Sequence, residues 1–68
     1  MNVEKLAELV RGELRFRSIE NFTASAQKPD MVKRRLFDIL NGKQKTVSLK
    51  VADEICTLAG RPDWLHLL

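Results

Sequence analysis

The sequence predicts an all-α fold, a compact bundle of four or five helices. Apolar residues recur at helical spacing in four segments, and residues that cap or stop helices separate these segments. No segment alternates apolar and polar side chains as a half-buried strand does. A chain of 68 residues is long enough for one hydrophobic core. We therefore expect a single domain over residues 1–68, either complete or the N-terminal part of a longer protein.

Two helices are predicted in the first third of the chain. Asn2 is a suitable N-cap for the first helix. The inward stripe of this helix comprises Leu6, Leu9, Val10 and Leu14. A short second helix begins after Ser18 or Asn21, since either residue can cap a helix. Its inward side comprises Ile19, Phe22 and Ala26.

The third helix begins at Pro29, because proline disfavours helix in the residue before it and suits the first helical turn. It runs to about Asn41, and Gly42 ends it. At 100° per residue, its core stripe comprises Val32, Leu36, Ile39 and Leu40. The outer arc is mostly charged, with Phe37 on the border between the two sides.

The last third of the chain predicts a fourth helix and an apolar ending. Ser48 is the N-cap of helix four, and Gly60 and Pro62 stop it. The inward stripe comprises Leu49, Ala52, Ile55, Cys56 and Ala59. The apolar residues of the ending are Trp64, Leu65, Leu67 and Leu68. The ending either packs on the core as a short fifth helix capped by Asp63 or covers a partner, which would be a second copy or a further C-terminal domain.

Composition argues against several classes of protein. One cysteine cannot form an intrachain disulfide, one histidine is too few for a zinc site, and no apolar run approaches the roughly 20 residues of a membrane span. No catalytic constellation is evident, because Cys56 falls on the core stripe and Ser48 serves as a cap. Asp53 and Glu54 point apart on their helix. We expect a cytoplasmic protein that is not an enzyme and needs no metal or cofactor.

Positive charge is concentrated in the middle of the chain. The net charge is +3, but residues 1–27 sum to zero and residues 51–68 to −2. Residues 28–50 contain seven lysines and arginines against two aspartates, a net charge of +5. This segment favours a polyanion such as nucleic acid as its partner. A solvated basic face is the alternative.

The order of the predicted elements adds to this argument. The elements follow the order of a helix-turn-helix: a short helix, a turn at Lys28-Pro29-Asp30 and a helix with basic outer residues. In a helix-turn-helix the second helix enters the major groove of DNA. Arg34 is the candidate for base reading, because a guanidinium can bond guanine O6 and N7 together. Lys28 and Lys33 are candidates for phosphate or mixed contacts, and Phe37 either touches a thymine methyl or lies in the core. The loop after helix three, a solvated connection or a phosphate contact, offers Lys43, Gln44 and Lys45.

One run of residues resembles a known family. Residues 34–49 read RRLFDILNGKQKTVSL, residues 52–56 read ADEIC, and Gly60 follows. This pattern resembles the later part of lambda-repressor/Cro-like helix-turn-helix domains, especially those of actinobacterial and actinophage regulators. The resemblance covers about residues 31–60 and implies five helices, DNA binding by helix three and a repressor role. It places Lys33, Arg34 and Phe37 at groove-facing positions and Lys43 to Thr46 at backbone-facing ones.

Two functions are predicted from these observations. The first is sequence-specific binding of double-stranded DNA by helix three, as a transcriptional regulator of the phage-repressor type associated with the nucleoid. The second is a helical protein-protein adaptor that uses the apolar surface from Trp64 to Leu68 and leaves the basic arc solvated. DNA binding should depend on Arg34, whereas an adaptor should depend on Trp64 and Leu67.

Overall fold

The protein has five helices and no strands. Its structure is a computed structural model that describes all 68 residues. They are α1 (Val3–Glu13), α2 (Ile19–Thr23), α3 (Pro29–Leu40), α4 (Leu49–Leu58) and a terminal 3-10 helix (Pro62–Leu67). The predicted all-α bundle is therefore confirmed. None of the helices has the length and apolar character that crossing a membrane requires.

Three helices begin at side-chain caps. Asn2, Ser18 and Ser48 each accept a hydrogen bond from the backbone N–H three residues later, at 2.9, 3.1 and 3.2 Å respectively. Each cap satisfies one of the free N–H groups at a helix start. The structure thus selects Ser18 over Asn21 as the start of α2. Helix α3 begins at Pro29 without a side-chain cap.

Glycines in the left-handed region follow α3 and α4. Gly42 has φ 75° and Gly60 has φ 70°, a conformation that glycine adopts without steric cost. In each case the N–H of the next residue returns to a carbonyl five residues earlier. Lys43 donates to Asp38 O and Arg61 to Cys56 O, both at 2.9 Å. These bonds end both helices sharply. They also fix where residues 43–46, which we call the basic loop, leave α3.

One hydrophobic core joins the helices, with α3 packed against α1 and α2, and α4 packed against the terminal 3-10 helix. Its buried residues are Leu6, Ala7, Val10, Phe22, Val32, Leu36, Ile39, Ala52, Ile55, Cys56, Ala59 and Trp64. The core stripe predicted for α3 is confirmed, with Leu40 partly buried at its edge. Thr23 is also buried, and its Oγ1 donates to Ile19 O at 2.9 Å. Because the core is filled from one side of α3, the opposite side of that helix is left to solvent.

Two local predictions are wrong. Leu49 was expected to face inward but is 68% exposed. It lies in the first turn of α4 and about 120° from Ile55, at the edge of the buried stripe, so the core does not reach it. Asp63 was expected to cap the last helix, but Arg61 occupies the cap position without a side-chain bond. Pro62 takes the first helical position and moves Asp63 inside the first turn.

The apolar ending packs on the core. Trp64 is only 7% exposed, and Leu65 and Leu68 pack against the same cluster. The N–H of Asn2 donates to Leu68 O at 3.1 Å, so the two ends of the chain lie side by side. Of the residues expected to form an apolar surface here, only Leu67 is more than half exposed, at 54%.

Candidate nucleic-acid interface

A line of exposed side chains runs along α3 on the side that faces away from the core. At 100° per residue, four of its members fall within about 60° of one another. We call this set the outer stripe, and it consists of Asp30, Arg34, Phe37 and Asn41, all of which are exposed. Asn41 is the C-cap residue of α3, so the stripe leads directly into the basic loop.

Arg34 is the one member of a run of three cations that has no partner. Lys33 Nζ lies 3.9 Å from Glu20 Oε1 on α2, and Arg35 Nη1 lies 3.9 Å from Glu54 Oε1 on α4. None of the four ion pairs or the side-chain hydrogen bonds of the protein includes Arg34. Successive residues turn by 100°, so Lys33 leans towards α2, Arg35 towards α4, and Arg34 projects between them. All five N–H donors of its guanidinium remain available to a ligand.

Phe37 lies beside Arg34 on the outer stripe. Residues three apart on a helix are neighbours about 5 to 6 Å apart at their Cβ atoms. Phe37 is 48% exposed, so the structure places it at the surface and not in the core. An apolar ring next to a free guanidinium combines the two groups that can contact a thymine methyl and a guanine edge.

The basic loop is held in place by its own backbone. The N–H groups of Lys43 and Gln44 both donate to Asp38 O, at 2.9 and 3.2 Å. The side-chain Nε2 of Gln44 donates to Thr46 O at 3.0 Å, so Gln44 is partly used within the loop. Lys43, Lys45 and Thr46 are exposed, and neither lysine forms an ion pair. The loop therefore presents two free cations at the C-terminal end of α3.

Lys28 stands apart from the other predicted site residues. It is exposed, but its helical angle puts it on the α4 side of α3, more than 100° from Arg34. There it lines an open groove together with Arg35 and Lys50. Helix α3 has 12 residues, so about 18 Å of helix separates Lys28 from the loop. The structure does not bring Lys28 to the outer stripe.

Two residues were not predicted from the sequence, one in the outer stripe and one in the groove on the α4 side. Asn41 belongs to the outer stripe, and the same 100° periodicity that places Arg34 could have placed it there. Lys50, in the first turn of α4, is exposed and lines the same open groove as Lys28. It belongs to the basic segment of the sequence, but only the tertiary structure shows that the two lysines line one groove.

Outside the candidate interface, few side chains are placed for metal binding or nucleophilic chemistry. No group of three His, Cys, Asp or Glu side chains is arranged to hold a metal ion. Cys56 is fully buried, and burial raises the pKa of its thiol, with further contributions from the negative charges of Asp53 and Asp63. A buried thiol that holds its proton is a poor nucleophile. Cys56 therefore acts as a core residue.

Comparison with family models, curated proteins and solved structures finds no match to this chain. The resemblance to lambda-repressor/Cro-like domains stays a prediction from the residues that carry it. Support for a nucleic-acid interface therefore comes from the geometry of α3 and the basic loop.

Proposed function

We propose that this protein binds double-stranded DNA sequence-specifically, with α3 in the major groove, and acts as a transcriptional regulator of the phage-repressor type. The observation that supports this proposal best is the unpartnered Arg34 at the middle of the exposed outer stripe. Both of its neighbours in the chain are held by carboxylates of other helices. A single free guanidinium on an otherwise neutralised helix is suited to reading a base.

The dimensions of α3 fit this role. An α-helix with its side chains is about 10 to 12 Å across, and the major groove is about 12 Å wide. The outer stripe would face the base edges, with Arg34 on a guanine and Phe37 against the methyl group of a thymine. Insertion would also bury the exposed part of the Phe37 ring, which is favourable at roughly 25 cal/mol per Å² of apolar surface.

The basic loop supplies contacts of a different kind. Lys43, Lys45 and Thr46 leave the C-terminal end of the stripe, where a helix in the major groove approaches the sugar-phosphate backbone. Such contacts fix the position of the protein on the duplex and do not discriminate sequence. Lys28 lies on the α4 side, away from the outer stripe, so we assign it no contact with DNA.

One copy of the domain covers one half-site. Its extents are 25 × 24 × 22 Å, less than the about 34 to 36 Å that separates successive major-groove half-sites on one side of the duplex. A homodimer or a further domain would therefore add affinity through a second contact. A two-fold dimer requires an operator with two inverted half-sites at that spacing.

Selection of bound duplexes from a random pool tests the proposed function. The winning duplex and a scrambled duplex are then titrated at roughly physiological salt. We expect the selected duplex to bind at least about a thousandfold better than the scrambled one. Absence of enrichment, with weak and equal binding to both duplexes, would contradict specific recognition and leave the adaptor function to be examined.

A further inference from the structure

Lys33 borders the outer stripe but is paired with a carboxylate of another helix. Its helical angle lies about 40° from that of Phe37, so its ammonium could reach a duplex seated on the stripe. Instead Lys33 Nζ lies 3.9 Å from Glu20 Oε1, with the two side chains 29% and 69% exposed. Glu20 is in the first turn of α2, whose position is fixed by the Ser18 cap and by the buried ring of Phe22. The carboxylate therefore competes with any phosphate for this lysine.

We propose that Glu20 is a specificity-determining residue, which restrains Lys33 and thereby weakens sequence-independent binding to DNA. This inference rests on the proposed function and assigns a negatively charged residue to it. Glu20 touches no DNA itself and acts through Lys33 as a positioning residue. Its effect is to leave recognition to Arg34 and Phe37.

The physical basis is the difference between the two kinds of complex. Binding to a random sequence draws its affinity from lysine and arginine contacts to phosphates, and each contact steepens the dependence of log K on log salt by about 0.9. In the specific complex, base contacts of Arg34 fix the orientation of α3, so one additional mobile cation contributes less. Releasing Lys33 should favour random DNA over the selected site.

Glu54 provides a matched control. It forms an ion pair of the same length, 3.9 Å, with Arg35. Arg35 lies on the α4 side of α3, about 100° from Arg34, which is the nearest member of the outer stripe, whereas Lys33 lies about 40° from its nearest member, Phe37. Glu54→Gln and Glu20→Gln remove the same charge from similar exposed pairs. Exposed pairs contribute little to folding stability, so both variants should remain folded.

The first experiment measures the affinity of the wild type, Glu20→Gln and Glu54→Gln for a scrambled duplex between 50 and 200 mM salt. For Glu20→Gln we expect a slope steeper by about 0.9, so that the gain in affinity at 50 mM is about three- to fourfold larger than at 200 mM. Glu54→Gln should change the slope less. On the selected duplex the gain should be smaller, which lowers the ratio of specific to random affinity. Equal gains for the two variants, or equal gains on the two duplexes, would overturn the proposal.

A second experiment asks whether Glu20 acts through Lys33. The gain from Glu20→Gln should disappear in a Lys33→Gln background, and Glu20→Asp should restore part of the wild-type behaviour. A gain that persists without the lysine would show a general effect of net charge and overturn the proposal. If the wild type enriches no duplex at all, it is the proposed function that fails. If the wild type binds specifically and Glu20→Gln behaves like it, only the inference about Glu20 fails.

Discussion

Arg17 and Arg34 are the same type of residue in opposite settings. Arg17 follows α1, and its Nη2 donates to Leu58 O at 2.9 Å and to Phe22 O at 3.4 Å. Its guanidinium also lies 4.9 Å from the centre of the Phe22 ring and 3.8 Å from Glu13 Oε1. Arg34 projects from α3 and touches no partner inside the protein. Arg17 is bonded within the fold, whereas Arg34 has no intramolecular partner.

This difference separates a cation that is bonded within the fold from one that is free to bind a ligand. Arg17 closes the C-terminal end of α4 by satisfying a carbonyl there, where a positive charge also favours the helix dipole. The buried Nε of Arg17 has no hydrogen-bond partner, so one donor of this guanidinium is unsatisfied. A count of charges along the sequence treats Arg17 and Arg34 alike. Only their surroundings show which of the two has no partner within the protein.

The largest expected effect is at the core side of α3, opposite Arg34. Leu36 is fully buried, and Leu36→Ala should lower the free energy of unfolding by about 2 to 5 kcal/mol through lost burial and the cavity left behind. In a small domain this removes much of the total stability. Urea unfolding followed by circular dichroism measures the change. Unfolding at the wild-type midpoint would show that the two sides of α3 are assigned wrongly.

Arg17→Met should lower the free energy of unfolding by about 1.5 to 3 kcal/mol, because its charged hydrogen bonds to carbonyls of α2 and α4 are lost. Arg15, which is exposed and forms no ion pair, is the matched control. Arg15→Met should stay within about 0.5 kcal/mol of the wild type. The same unfolding experiment compares the two variants. Equal effects would remove the distinction between a structural and a free arginine.

Arg34→Ala should weaken DNA binding and leave the free energy of unfolding almost unchanged, the reverse of Arg17→Met. Binding to the selected duplex should weaken by about 1 to 3 kcal/mol, with little change on scrambled DNA, because a bidentate base contact is lost. The free energy of unfolding should move by no more than about 0.5 kcal/mol. Fluorescence anisotropy on both duplexes measures this, with Arg15→Ala as the control for charge. Equal losses on the two duplexes would make Arg34 a phosphate contact.

Lys45→Ala should have the smallest effect. As an exposed, unpaired lysine of the basic loop, it should contribute one phosphate contact. Its removal should weaken binding to both duplexes alike and flatten the salt dependence by about one unit. Anisotropy titrations over a range of salt concentrations measure the slope. A slope equal to that of the wild type would exclude the loop from the interface.

Local features of this fold were predictable from the sequence. The caps at Asn2 and Ser48 and the turn at Gly42 depend on residues within one helical turn, and the structure has them where the sequence placed them. The predictions for Leu49 and Asp63 were wrong, and both residues stand near the start of a helix. Leu49 lies at the edge of the periodic stripe, about 120° from Ile55, where packing decides whether a side chain is covered. Pro62 takes the first helical position and puts Arg61 at the cap in place of Asp63, as the sequence preference of proline for that position allows.

The sequence could predict which side of α3 carries the candidate site, but not which of its side chains are exposed and unpaired. Helical periodicity puts Arg34 on the outer side of α3, but it leaves Phe37 on the border, where packing decides. The ion pair of Lys33 with Glu20 spans 13 positions of the chain, and the bond from Arg17 to Leu58 spans 41. Such contacts between distant segments arise from the tertiary fold, so charge counting could not tell free cations from paired ones.

Mapping of backbone amide shifts by NMR, with the selected duplex added to labelled protein, tests the central claim most directly. We expect the largest changes between residues 30 and 46, covering the outer stripe and the basic loop, while the amides around Arg17 stay nearly unchanged. Changes centred on residues 16–18 or on the terminal 3-10 helix, with α3 unaffected, would contradict recognition of DNA by α3.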